Sequence, residues 1–257
     1  MTQYVDALVT RDPSKLPLAG NIRVTEDSKV VKLGEALWKE DLSKGTFRQD
    51  YLDTEKQVAA AHIELMEKKK PVLLSVVLHV KDSKIAGIET LVERITPDSH
   101  FQPKVLDRPI RGMNDPVPAD QRETRASLVR IALTYTKGLR IGSFTDAGTP
   151  FAPETYRVEN GVITAGKGCG SPDCAMYKQI INLHPTATAN VAAVDEENGV
   201  VVLWMNFGFP SVLNPATALV TFEAFKIWGG QIHAINAFFT GLPINSARNW
   251  PTTDPVP

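Results

Sequence analysis

The stretch YRVENGVITAG, residues 156–166, nearly repeats a stretch written earlier in the same chain, RVTEDSKVVKLG at residues 23–34. With two one-residue gaps, both read Arg-Val, then Glu, then Asp or Asn, a small or turn residue, two β-branched residues and a closing Gly. Asn-Gly flanked by Val and Ile takes the positive φ angles of a tight two-residue turn, so each stretch is a predicted β-hairpin. A second echo follows in the same order: KIAGIETLVE (84–93) and QIHAINAFFT (231–240) share an Ile-x-x-Ile core. A helical pattern precedes each hairpin, TQYVDALVTRDPSKLP in the first half and TRASLVRIALTYTKGLRIGS in the second. The chain therefore reads as an internal duplication.

Working outward, Tyr4, Val5, Leu8 and Val9 share one helical face, and Pro13 ends that helix. KLGEALWKEDL is predicted to form a short helix carrying Leu37 and Trp38, and KGTFRQDYLD is read as a loop or turn. QVAAAHIELME, PVLLSVVLHVKD and KIAGIETLVERI are long, rich in β-branched residues and joined by short polar turns, the pattern of an antiparallel meander. Residues 96–122 hold five prolines and little periodicity, so they read as a linker or crossover. The second half repeats the plan with a helix at 123–142, a hairpin at 151–165, a Cys-containing loop, and strands at 187–194, 200–209, 217–228 and 231–241. The predicted domains are 1–96 and 123–243, each a cone-shaped α+β unit of curved antiparallel sheet wrapped on helices. Residues 97–122 link them, and 244–257 form an extended tail able to reach a neighbour.

With 257 residues, a net charge of −1 and 22% charged residues, the chain has no electrostatic footprint for nucleic acid or an anionic membrane. A small neutral or aromatic ligand suits this balance better. No apolar run reaches the length of a membrane-spanning helix, and the start of the sequence lacks a basic signal-like segment, so a cytoplasmic location is expected. Cys169 and Cys174, in CGSPDCAMYKQ, are read as reduced structural thiols. A zinc site would need two further ligands, with only His184 nearby, so no metal is expected.

The helix, hairpin and meander plan resembles the nuclear transport factor 2-like superfamily, which includes ketosteroid isomerases and SnoaL-type cyclases. The resemblance rests on YVDALVTRDPSKLPLA (4–19), IETLVER (88–94), PFAPETYRVENGV (150–162) and AVDEENGVVVLWMNFGFP (193–210), spread over both halves. Its two-domain architecture is similar to that of the cofactor-independent diarylpropane lyases of bacterial lignin catabolism. This resemblance implies loss of a benzylic hydroxyl from a phenolic diaryl-propanediol, a quinone methide, release of formaldehyde and formation of a stilbene. It also implies no cofactor and a homodimer. The competing readings are a dehydratase or isomerase of a polyketide- or steroid-like compound, and a non-catalytic binder of an apolar metabolite.

Such chemistry requires an acid at the benzylic oxygen, a base at the terminal hydroxyl and a group that holds the phenol. The catalytic candidates are Arg48, Tyr51, His62 and Glu89: a permanent cation, a phenol, an imidazole among small residues, and a carboxylate on the last strand of the first half. The substrate-binding candidates are Trp38, Arg94, Tyr135, Trp204, Asn206, His233 and Asn236. Trp204 and Asn206 share strand parity, whereas Glu89 and Arg94 do not. Asn236 stands where the first half has Glu89, which predicts that the two cones have diverged. Glu159, Asn160 and Gly161 are assigned to turn geometry, His79 to a solvated strand end, and Asp195–Glu197 to a solvated acidic turn.

Overall fold

The computed structural model describes residues 1–104, 106, 112–166, 168–170, 174–179, 181–208 and 216–255. The end of the tail, part of the 97–122 segment and part of the Cys loop lie outside the described residues, as do Phe209 and Pro210.

The duplication is visible in the sheets. In the first half, α1 (Thr2–Val9) precedes a hairpin, β1 (Leu18–Glu26) and β2 (Lys29–Val30). Four long strands follow: β3 (Leu42–Asp53), β4 (Val58–Glu67), β5 (Lys70–Lys81) and β6 (Lys84–Arg94). In the second half, α2 (Arg125–Ile141) and α3 (Phe144–Ala147) precede β7 (Phe151–Glu159) and β8 (Val162–Ala165). These lead to β9 (Thr188–Asp195), β10 (Val200–Asn206), β11 (Thr217–Trp228) and β12 (Gln231–Pro243). The sheet orders are β2-β1-β6-β5-β4-β3 and β8-β7-β12-β11-β10-β9, the same topology twice. Each hairpin joins its meander through a parallel pair, β1 with β6 and β7 with β12, and every other pairing is antiparallel.

The quoted echo does one job in both halves. Asp27 donates its amide to the Thr90 carbonyl, and its carboxylate accepts the Val92 amide at 2.9 Å. Asn160 donates its amide to the Ala237 carbonyl, and its side-chain oxygen accepts the Phe239 amide at 2.6 Å. The turn residue thus staples the hairpin to the last strand. At Gly161, φ is +75° and a Cβ would lie 2.8 Å from Leu106 and 2.9 Å from Pro103, so the tip accepts only glycine beneath the crossover.

Several expectations are corrected here. KGTFRQDYLD is the body of β3 rather than a loop, and ALWK is a single 3-10 turn. Cys169 and Cys174 form a disulfide instead of remaining reduced thiols. No helix among the described residues is long and apolar enough to cross a membrane.

One face of each sheet covers its own helices, and the opposite faces pack against each other. Phe47, Tyr51, Ala60 and Val77 from the first half meet Ala192, Trp204, Phe222 and Phe238 from the second in one continuous apolar seam. At the edge, β3 and β9 exchange bonds reciprocally: Leu52 donates its amide to Asp195, and Val194 donates to Asp53, both at 2.9 Å. The tail lies across both sheets, and does so within its own chain. Arg248 makes two 2.8 Å bonds to Glu89, Trp250 stacks on His79 with ring centroids 4.3 Å apart, and Asp254 joins Asp53 on Arg125.

Candidate functional site in the second cone

Strand parity decides where each candidate side chain goes. On β3, Arg48 and Tyr51 differ in parity and face opposite sides. Arg48 lies at the surface, paired with Asp50 at 2.6 Å and bonded to Thr2. On β4, Ala61, Ile63 and Leu65 fill the first cone while Ala60 and His62 turn to the seam. His62 is fully buried there. Its Nε2 faces the Phe222 carbonyl at 2.8 Å and so carries the proton, and its Nδ1 accepts from Tyr51 Oη at 3.0 Å and Asn236 Nδ2 at 2.8 Å. Burial lowers the His62 pKa to about 4 and raises that of Tyr51. The trio fixes the alignment of the two sheets, rather than facing a pocket as expected for His62.

Glu89 is also a seam residue. Burial alone would raise its pKa, but the Arg248 hydrogen bonds, and then His79 at 3.5 Å, leave it lowered. Arg94 is surface-paired with Glu67. Trp38 lies edge-on to Tyr4 in the core of the first cone, Trp204 is in the seam, and Asn206 donates to the Ile244 and Ser246 carbonyls of the tail. His233 packs on Trp228 outside both cones. Of the four catalytic candidates, only Tyr51 and His62 touch. His79 is stacked under Trp250 rather than solvated, and Asp195 is buried, accepting from Leu52 and Asn198. His184 lies under Phe207, and among the described residues no three His, Cys, Asp or Glu side chains are grouped to hold a metal.

Tyr135 is the binding candidate that faces the interior of the second cone, and it leads to a cluster absent from the candidate set. α2 starts at Thr124, whose hydroxyl accepts the Ser127 amide, and ends at Gly142 with φ +76°. Its buried face carries Tyr135 against Phe144, Phe151 and Phe225. The Tyr135 hydroxyl accepts from Arg157 Nη1 at 3.0 Å. Arg157 also donates to Thr164 at 3.0 Å and Gln179 at 3.3 Å, and stands 3.3 Å from Glu159. Burial opposes the Arg157 charge, but Glu159 and Tyr135 outweigh it. Glu223, on β11, is 0% exposed, and among the described residues neither of its oxygens has a hydrogen-bond partner. Burial first, then the charge of Glu159, raises its pKa to about 8 against the pull of Arg157 and the Tyr135 hydroxyl.

The register shows why only one cone has this cluster. Val24 pairs with Ile88 as Arg157 pairs with Ile235, and Val76 pairs with Thr90 as Glu223 pairs with Ala237. Two valines therefore occupy in the first cone the places of the buried Arg and Glu in the second. The first cone is an apolar core, and the second holds a cation, a phenol and a carboxyl whose pKa burial raises. Sequence reading assigned Glu159 to the turn and passed over Arg157 and Glu223. The available signal was Glu223 itself, a lone acid in the middle of TALVTFEAFKIW, sharing parity with the cone-facing Phe225.

The family described as a domain of unknown function, DUF8021, matches residues 121–239, the span that contains this cluster. Among curated proteins, none matches the chain. Among solved structures, a nuclear transport factor 2-like protein of unknown function from Cytophaga hutchinsonii is 12% identical with a TM-score of 0.30, covering 36% of this chain and 85% of its own. A protein described as a candidate ketosteroid isomerase from Kribbella flavida is 15% identical with a TM-score of 0.29, covering 46% of this chain and 87% of its own.

Proposed function

We propose that the second cone performs cofactor-independent proton-transfer chemistry on a small, largely apolar aromatic compound. The observation that carries the reading is Glu223: a fully buried carboxyl whose oxygens, among the described residues, have no hydrogen-bond partner, beside a phenol and a guanidinium. Such a group costs stability wherever it stands unpaired, and a carboxyl titrating near neutrality can both give and take a proton.

The specific reaction we propose is the lyase cleavage of a phenolic diaryl-propanediol. Glu223 in its neutral form protonates the benzylic hydroxyl, which leaves as water while the phenol passes its proton to solvent and a quinone methide forms. The Glu223 carboxylate then takes the proton of the terminal hydroxyl. The carbon–carbon bond breaks, formaldehyde leaves, and the electron pair restores the ring as a phenolate, which regains its proton from solvent, as the stilbene double bond forms. Tyr135 and Arg157 hold the phenolic oxygen through its change of charge. The products are a stilbene, water and formaldehyde, and the step balances without an oxidant or reductant.

The test is to mix metal-stripped protein with the diol and follow stilbene absorbance together with formaldehyde. Both signals should rise in parallel for the native chain and fall at least 100-fold for Glu223→Gln with the fold intact. Neither signal from folded native protein would overturn the lyase reaction, and full activity in Glu223→Gln would overturn the site.

A further inference from the structure

Away from the cones, a cleft of about 700 Å³ opens between the crossover at 112–121 and the ends of β7, β11 and β12. That is the size range of sites for drug-sized molecules. Its position follows from a β-bulge: Lys226 pairs with Ala234 and Ile227 with Ile232, so His233 is an extra residue on β12. The bulge lays the His233 ring on the Trp228 indole, with centroids 3.6 Å apart and planes within 6°. Glu154 holds His233 Nδ1 at 2.6 Å, and the Trp228 carbonyl faces Nε2 at 3.1 Å. The result is a flat aromatic platform whose orientation is set before any ligand arrives. Pro116 and Pro118 also line the cleft.

Lys226 also lines this cleft. Its ammonium donates to the carbonyls of Asp115 and Asn198, which occupies two of its three donors, and among the described residues the third has no partner. Burial lowers the Lys226 pKa to about 8, against the charges of Asp115 and Asp195. Those two carboxylates already face Lys226, and Glu154 already faces His233, so among the described residues no surplus cation remains to hold an anion. A cationic ligand would meet the ammonium of Lys226.

We infer that this cleft is a second binding site, separate from the second cone, for a neutral planar aromatic compound bearing a hydrogen-bond-accepting oxygen. The ring lies on the Trp228–His233 platform, and the oxygen takes the third Lys226 donor.

The test is calorimetric titration of the full chain with 2-acetonaphthone, compared with 2-naphthoate and 2-naphthylmethylammonium. The ketone should bind one-to-one and at least tenfold more tightly than either charged analogue. Trp228→Leu and Lys226→Met should each weaken it tenfold or more, while Glu223→Gln leaves it unchanged. Lys226→Met also releases the crossover from β11, so Trp228→Leu is the deciding variant, read together with its melting curve. Absence of saturable binding, equal binding of the naphthoate, or full affinity in a folded Trp228→Leu would overturn the inference. Loss of ketone binding in Glu223→Gln would place the ligand in the cone and overturn it as well.

Discussion

Glu223 and His62 are buried groups with shifts in opposite directions, and they tilt stability oppositely with pH. For Glu223 the folded pKa, about 8, lies above the ordinary 4.5. Below 4.5 both states are protonated. Between 4.5 and 8 only the unfolded state releases the proton, so the native state loses stability as pH rises, on the order of 3–5 kcal/mol over the window. For His62 the folded pKa, about 4, lies below the ordinary 6.5. As pH falls from 6.5 to 4 the unfolded state gains a proton that the native state refuses, on the order of 2–3 kcal/mol. Thermal melts across pH 4 to 9 should show Glu223→Gln flattening the alkaline limb and His62→Gln flattening the acid limb. A Glu223→Gln profile parallel to that of the native chain would remove the unpaired buried carboxyl from the account. His62 was visible in the sequence as a polar residue among alanines, but two of its three partners come from 160 and 174 residues away. No local pattern carries that information.

At the scale of elements, alternation along the strands made both meanders legible, and the turn residues made both hairpins legible. Residue types alone hid β3: TFRQDYLD is polar on one face because that face is open to solvent, and only pairing with β4 shows it to be a strand. The hairpin staple gives a sharp expectation. Asn160→Ala removes two hydrogen bonds to the backbone of Phe239 and places Ala at a φ of +43°. It should lower stability by about 2–3 kcal/mol, read as a lower urea midpoint at unchanged slope. A midpoint within error of the native value would mean that the staple follows from the sheet instead of holding it.

At the scale of the molecule, the resemblance implies a homodimer, for which the sheet faces would be the natural partners. In this chain the two sheet faces pair with each other, so a further copy has to use another surface. The tail closes the seam by delivering Arg248 to Glu89, and both are buried. Arg248→Met leaves a carboxylate buried without its cation and should cost about 3–5 kcal/mol; adding Glu89→Gln should recover part of that loss. Purely additive losses in the double-mutant cycle would show that the pair is not coupled.

By itself, the sequence determined the duplication, the order of elements and the α+β class, because turn chemistry and strand alternation act over a few residues. Only the tertiary structure decided which face of each strand meets helices and which meets the other sheet, and so which polar residues serve as fasteners. The repeat aligned by its Arg-Val letters matches Arg23 with Arg157; the register matches Val24 with Arg157 instead. That one-residue shift turns a side chain to the opposite face of its sheet, and it separates an apolar core from one that carries a buried arginine and carboxyl.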